Sequence, residues 1–186
     1  MKRTLDFLMA LVAIMFLAPV LLIVGLAVRL TSPGPALYWS DRVGQNNVLF
    51  RMPKFRTMRI DTPEVATHLL DDPARWLTPI GGFLRRSSLD ELPQIWSILV
   101  GHMSVVGPRP ALFNQDDLIQ ARAKAGVHIL RPGLTGWAQI NGRDEISIPE
   151  KTTFDAHYLR HQSIALDLRI VIATFFKVVR RESVSH

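Results

Sequence analysis

The sequence has no cysteine in its 186 residues. That removes disulfides, thiolate catalysis and Cys-ligated zinc together, and fits a domain kept in a reducing compartment. The six histidines show no metal-ligand spacing such as HExxH. A Walker GxxxxGK(S/T) loop is missing, as is a GxGxxG following a strand pattern, so the usual ATP and dinucleotide readings lack support. Internal repeats and low-complexity tracts are also missing. Acidic residues are the scarcer charge, with 16 Asp and Glu against 22 Lys and Arg. The resulting pI near 10.3 points to an anionic partner: lipid headgroups, nucleic acid or a phosphorylated substrate. The length suits one domain with a real core and leaves little room for a second.

What the chain does have is apolar sequence. Its mean hydropathy of +0.16 is high for a soluble domain, and the excess lies at the N-terminus. Phe7 to Val28 carries no charge, about the roughly 20 residues a helix needs to span a bilayer. A cleaved signal peptide fits less well. The apolar run exceeds the usual ~7–15 residues, and no small-x-small site precedes the stretch Arg29 to Pro35. Pro19 lies near the middle, where it deletes a backbone hydrogen bond and kinks or breaks a helix. Lys2 and Arg3 precede the segment, and Arg29, Arg42, Arg51, Lys54, Arg56 and Arg59 follow it, so the positive-inside bias keeps both flanks cytoplasmic. A re-entrant helix over residues 1–30, bending at Pro19 like a hairpin, satisfies both flanks. An ordinary kinked single span places one of them on the wrong side.

Residues 31–186 read as the rest of a single α+β domain, mostly helical. Ser32-Pro33-Gly34-Pro35 ends the membrane helix. Ala36 to Ser40 and Val48 to Met52 predict a small β-hairpin around Gly44-Gln45-Asn46-Asn47. Asp61 to Thr78 reads as a surface loop with a short helix. Leu89 to Val100 predicts a helix with Ser88 as N-cap, Glu91 completing a capping box and Pro93 near the first turn. Gly107 to Pro110 and Arg131 to Gly133 are loops flanking a polar helix over Ala111 to Ala125, and Gly136 to Gly142 is a turn. Near the C-terminus Leu168, Val171, Phe175 and Val178 share a helical face, while Arg169, Lys177, Arg180 and Arg181 crowd another. Such a helix suits an anionic membrane surface, and equally a core-packed terminal helix.

Ser87 to Pro93 holds the adjacent acids Asp90 and Glu91 just after Arg85 and Arg86. One such carboxylate can attack phosphorus while its neighbour binds Mg²⁺ or handles a proton. The plainer reading is capping and a favourable helix dipole. Asp71-Asp72, Asp116-Asp117 and Asp144-Glu145 read as solvated surface. Arg109 sits between prolines, Arg131 precedes one, and Arg143 follows Asn141-Gly142. Each leaves a constrained backbone on which little entropy is lost when phosphate binds. Lys54 and Arg56 add cations at a strand end. Nucleic acid is disfavoured, because Trp39, Trp76, Trp96 and Trp137 are scattered and Trp96 falls inside an apolar helix as expected core.

Four motifs follow in order: Lys54-Phe55-Arg56-Thr57-Met58, then Ser88-Leu89-Asp90-Glu91-Leu92-Pro93-Gln94, then Met103-Ser104-Val105-Val106-Gly107-Pro108-Arg109-Pro110, then Arg131-Pro132-Gly133-Leu134-Thr135-Gly136-Trp137-Ala138-Gln139-Ile140-Asn141-Gly142-Arg143. Over essentially its whole length the chain resembles the bacterial sugar transferases, the monotopic phosphoglycosyl transferases, in what looks like their minimal form. The resemblance implies a Mg²⁺-dependent enzyme of the bacterial inner membrane with its catalytic domain on the cytoplasmic face. Such an enzyme moves a sugar 1-phosphate from a UDP-sugar to polyprenyl (undecaprenyl) phosphate, the first membrane step of glycoconjugate synthesis. It works by ping-pong through an aspartyl phosphosugar and releases UMP. Carried onto this sequence, Asp90 is the nucleophile, and Glu91 assists metal binding or the acceptor step. Arg109 and Arg143 hold phosphate or sugar, Arg85 meets the lipid headgroup, and Lys54, Arg56, Arg131 and Asn141 complete the substrate-binding set. The family usually has Asp where this chain has His102. That exchange can replace an acidic hydrogen-bond partner with a neutral ring and predicts a tuned loop rather than lost activity.

Overall fold

The computed structural model describes residues 1–63, 71–142 and 146–180. Arg143, Asp144, Glu145 and Arg181 lie outside them, as does part of the loop expected over Asp61 to Thr78. Helix α1 (Lys2–Thr31) runs unbroken through Pro19. The break expected at Pro19 is not there. One lost backbone bond costs an apolar segment less than the several that a chain reversal would free. At 1.5 Å per residue α1 is ~45 Å long, and it is long and apolar enough to cross a membrane.

Helix α1 does not project from the domain but lies along it. Its first half packs Ala10, Ala13, Ile14 and Leu17 on Phe50, Met52, Ile95, Ile98 and Met103. Its second half packs Val20, Leu21, Val24 and Val28 on Phe55, Leu84 and Leu92. Polar ties hold both ends. Asp6 is buried and accepts from Ser104 Oγ at 2.8 Å and from the Val105 amide at 3.1 Å. Lys2 pairs with Asp167 at 2.6 Å, and Arg3 donates to the carbonyls of Ile98 and Leu99. At the other end the Arg56 guanidinium clamps Ser32 and Pro35, with Nε 2.7 Å from the Pro35 carbonyl. The outer face, including Leu8, Val12, Met15, Phe16, Leu22, Ile23 and Leu26, is left exposed.

The hairpin is present and longer than expected, with β1 (Leu37–Val43) antiparallel to β2 (Leu49–Phe55). A second sheet, which the sequence patterns did not suggest, pairs β3 (Ser104–Val106) in parallel with β4 (Gly133–Thr135). It brings the loops Gly107 to Pro110 and Arg131 to Gly133 side by side. The approach is so close that a Cβ on Gly133 would lie 2.0 Å from the Gly107 nitrogen, which accounts for a residue without a side chain there.

Helices α2 (Gly81–Arg86) and α3 (Ile95–Val100) flank a 3-10 segment, Leu89–Gln94. Three expectations need correction here. The region expected as one helix over Leu89 to Val100 is the 3-10 segment followed by α3. Ser88 makes no side-chain cap, sits at φ 55°, and forms no box with Glu91. The Glu91 carboxylate is taken instead by Lys54 and Arg109. Trp96 is 55% exposed rather than core, because α3 turns Ile95 and Ile98 inward and Trp96 outward. The polar helix is shorter than expected, α4 (Asp116–Lys124), and the turn near Gly136 holds α5 (Trp137–Ile140). A capping box does exist, at Ser147 and Glu150, opening α6 (Ile148–His161). Helix α7 (Ile164–Arg180) packs Ile170 into the core and leaves Leu168, Ile172, Phe175 and Phe176 exposed.

Candidate functional site

A 3-10 helix turns about 120° per residue, so adjacent Asp90 and Glu91 point in different directions. The left-handed turn at Ser88 starts the segment, and β2 packs beneath it. Glu91 points at two cations. Its Oε1 lies 3.0 Å from Lys54 Nζ and 2.8 Å from Arg109 Nη2, and its Oε2 accepts from Arg109 Nη1 at 3.5 Å. Lys54 comes from β2, opposite Tyr38 in the hairpin register. Arg109 comes from the loop after β3.

Asp90 is 8% exposed and, among the described residues, makes no ion pair of that kind. The two acids therefore differ in charge behaviour. Burial pushes the Asp90 carboxyl up from its ordinary value, opposed mainly by Lys54 and then Arg85, with Glu91 adding to the rise. Burial also acts on Glu91, but Arg109 and Lys54 outweigh it and hold that carboxyl well below the ordinary range. Lys54 itself is lowered by burial, against the pull of Glu91. Two neighbouring carboxyls driven apart in this way are the usual mark of divided chemical roles.

The structure brings Asp90, Glu91, Lys54 and Arg109 together, with Arg85 close enough to influence Asp90. Arg85 Nε donates to Thr57 Oγ1 at 3.0 Å, which fixes its stem beside the site. Arg42 joins the group without having been singled out from the sequence. It acts electrostatically on Lys54, and its Nη1 lies 3.3 Å from the Pro110 carbonyl. No sequence signal marked it, because its place depends on β1 running beside residues 110–112. The cations around Asp90 and Glu91 outnumber them, leaving positive charge for a diphosphate.

Other expected site residues are placed elsewhere. Arg56 is buried, and its guanidinium faces Ser32 and Pro35 instead of the acidic pair. Asn141 Nδ2 donates to the Trp137 carbonyl at 2.8 Å. Arg131 stands with its carbonyl next to the Gly107 backbone. His102 is exposed, its ring 5.5 Å from that of Phe50. Asp71, Asp72, Asp116 and Asp117 are exposed, as the sequence suggested.

Among the described residues no group of three or more His, Cys, Asp or Glu could hold a metal alone. Mg²⁺ does not need one, since it is commonly held by one or two carboxylates plus substrate phosphates. Asp90 and Glu91 fit that donor set.

Comparison with known proteins gives a consistent result. Residues 1–181 match the family described as bacterial sugar transferase. The UDP-glucose:undecaprenyl-phosphate glucose-1-phosphate transferase of Escherichia coli (strain K12) is 39% identical over 185 residues. That alignment takes in 95% of this chain and 40% of the relative, so the chain spans well under half of that protein. The undecaprenyl-phosphate glucose phosphotransferase of Komagataeibacter xylinus is 38% identical, over 93% of this chain and 35% of its own length. The exopolysaccharide production protein PSS of Rhizobium leguminosarum bv. phaseoli is also 38% identical, and there the match covers 97% of this chain and 96% of the relative. The chain belongs to the bacterial sugar transferase family.

Proposed function

We propose that this chain transfers a sugar 1-phosphate from a UDP-sugar to polyprenyl phosphate and releases UMP, with Asp90 as nucleophile. The observation that carries the reading is the split pair: a buried Asp90 that makes no ion pair among the described residues, beside a Glu91 bonded to Lys54 and Arg109. The names of the relatives supply the substrate classes, a UDP-sugar and undecaprenyl phosphate.

The reaction divides into two displacements. An Asp90 oxygen attacks the β-phosphorus, and the bond to the oxygen bridging the two phosphates breaks, its electrons leaving with UMP. A polyprenyl phosphate oxygen then attacks the same phosphorus. The bond to Asp90 breaks, the carboxylate is restored, and the product is a polyprenyl diphosphate sugar. Such transfers ask mainly for position and charge neutralisation. Lys54 and Arg109 supply both, with Arg85 at the lipid headgroup. Mg²⁺ held by Asp90, Glu91 and the donor phosphates would supply further neutralisation of the diphosphate. Glu91, held ionised by its partners, is a weak base, which favours its orienting and metal-binding role over proton abstraction.

The setting is a membrane surface. Helix α1 is tied at both ends to the same domain and exposes an apolar outer face, so we place both ends on one side of the bilayer, the cytoplasmic side, where a soluble donor meets a lipid carrier. Phe83, Trp96 and Val100, exposed on the helices flanking the 3-10 segment, suit the carrier's apolar chain. The test is UMP release by purified protein in detergent with Mg²⁺, polyprenyl phosphate and a panel of UDP-sugars led by UDP-glucose. Turnover with a preferred donor is expected. No release from any donor would overturn the proposal and favour an anion-binding protein.

A further inference from the structure

Arg109 owes its aim to a loop with little choice of conformation. Pro108 and Pro110 fix the backbone on either side of it, and donors from elsewhere in the fold take the loop's carbonyls one after another. The Pro108 carbonyl accepts from the Gly133 amide at 2.8 Å, and the Ala111 carbonyl from the Val43 amide at 3.0 Å. Arg42 reaches the Pro110 carbonyl. The carbonyl of Arg109 itself accepts from Arg122 Nη1 at 2.8 Å. Arg122, on α4, is itself locked by Asp155 on α6: its Nε and Nη2 lie 2.9 and 2.7 Å from Asp155 Oδ2. The Arg122 and Asp155 side chains are only 9% and 1% exposed. Behind the loop a cavity of about 30 Å³ opens between Pro108, Ala111, Arg122 and Leu130. On that side the hydrogen bond from Arg122 is the tie on the Arg109 carbonyl itself.

We propose that Arg122, oriented by Asp155, is a positioning residue for phosphoryl transfer, fixing the Arg109 backbone so that the Arg109 guanidinium meets Glu91. The pair uses one guanidinium in two directions, with two donors on the carboxylate and a third on the Arg109 carbonyl. Lysine cannot copy that fork, because its single ammonium has no planar spread of donors. The effect of the pair passes through Arg109. This proposal rests on the reading of Asp90 and Glu91 as the reaction centre.

The experiment is a double-mutant cycle on UMP release, using Arg122→Lys, Arg109→Lys and the double variant of the full chain, with Val127→Ala as a control. Val127 is buried and lines the same cavity, and its carbonyl accepts from the Leu130 amide rather than from the loop. Wild-type turnover tests the proposed function, and the cycle then tests this inference separately. Arg122→Lys is expected to lower kcat about tenfold or more in the wild-type background and less than about threefold in the Arg109→Lys background. Val127→Ala is expected to keep near-normal kcat even where it lowers the melting temperature as much. An equal loss from Arg122→Lys in both backgrounds, or a loss in Val127→Ala that tracks stability alone, would overturn the inference. Should Arg122→Lys fail to fold, the isosteric Asp155→Asn enters the same cycle with the same expectations.

Discussion

Asp90 and Glu91 are chemically near-equivalent acids one position apart, and their surroundings make them different. Burial raises Asp90, with Lys54 the strongest of the cations opposing the rise. A raised acid pKa means protonation begins at higher pH, so the carboxylate that the proposed attack requires is lost early on acidification. The kcat/KM profile should therefore fall on an acid limb lying above the ordinary aspartate value of about 3.9. Lys54→Met should move that limb to still higher pH. A limb at or below the ordinary value would count against Asp90 as the titrating nucleophile. Glu91→Gln keeps the shape but leaves Lys54 and Arg109 without their anion, and should lower unfolding stability by ~1–3 kcal/mol, read by denaturant titration. Sequence showed the acidic pair and the constrained Arg109 because both sit in compact local patterns. It could not show Arg42, nor that Arg56 would turn toward Ser32, because those outcomes depend on which element lies alongside. Of the two roles it left open for Glu91, the capping box is absent, since the cations that claim it lie 37 and 18 residues away in the chain.

Helix α1 shows the same division among elements. Its existence and length were plain from an uncharged run, and its ties to the domain were not. Lys2 and Arg3 read in sequence as flanking charge, yet in the fold they meet Asp167 and the carbonyls ending α3. Asp6 closes the clasp on β3. Asp6→Ala leaves the Val105 amide without its acceptor and should cost ~1–3 kcal/mol in thermal unfolding. Asp71→Ala, at an exposed position without a left-handed backbone, should stay within ~0.5 kcal/mol. Equal effects would show that the clasp contributes nothing to stability. The hairpin was legible from two apolar runs around a turn cluster. The parallel pair β3 and β4 was not, because strands of three residues carry no periodicity to read.

At the scale of the whole molecule, residues from three of the four motifs, Lys54, Asp90 with Glu91, and Arg109, meet at one candidate site. Residues sharing a motif do not all share that site: Asn141 binds the Trp137 carbonyl, and Arg56 clamps the end of α1. The placement of α1 predicts topology. Because the chain has no cysteine, Thr4→Cys and Thr31→Cys, each at an exposed position, introduce unique thiols. In sealed membrane vesicles of one orientation, a membrane-impermeant maleimide should reach both or neither. Labelling of only one would indicate a helix that crosses. The most direct test of the central claim is the intact mass of the protein after incubation with Mg²⁺ and its preferred UDP-sugar, without polyprenyl phosphate. The account predicts a gain of one sugar phosphate, mapped to the peptide containing Asp90, absent from Asp90→Asn and discharged on adding the carrier. Full turnover by Asp90→Asn, or an adduct on another residue, would contradict it.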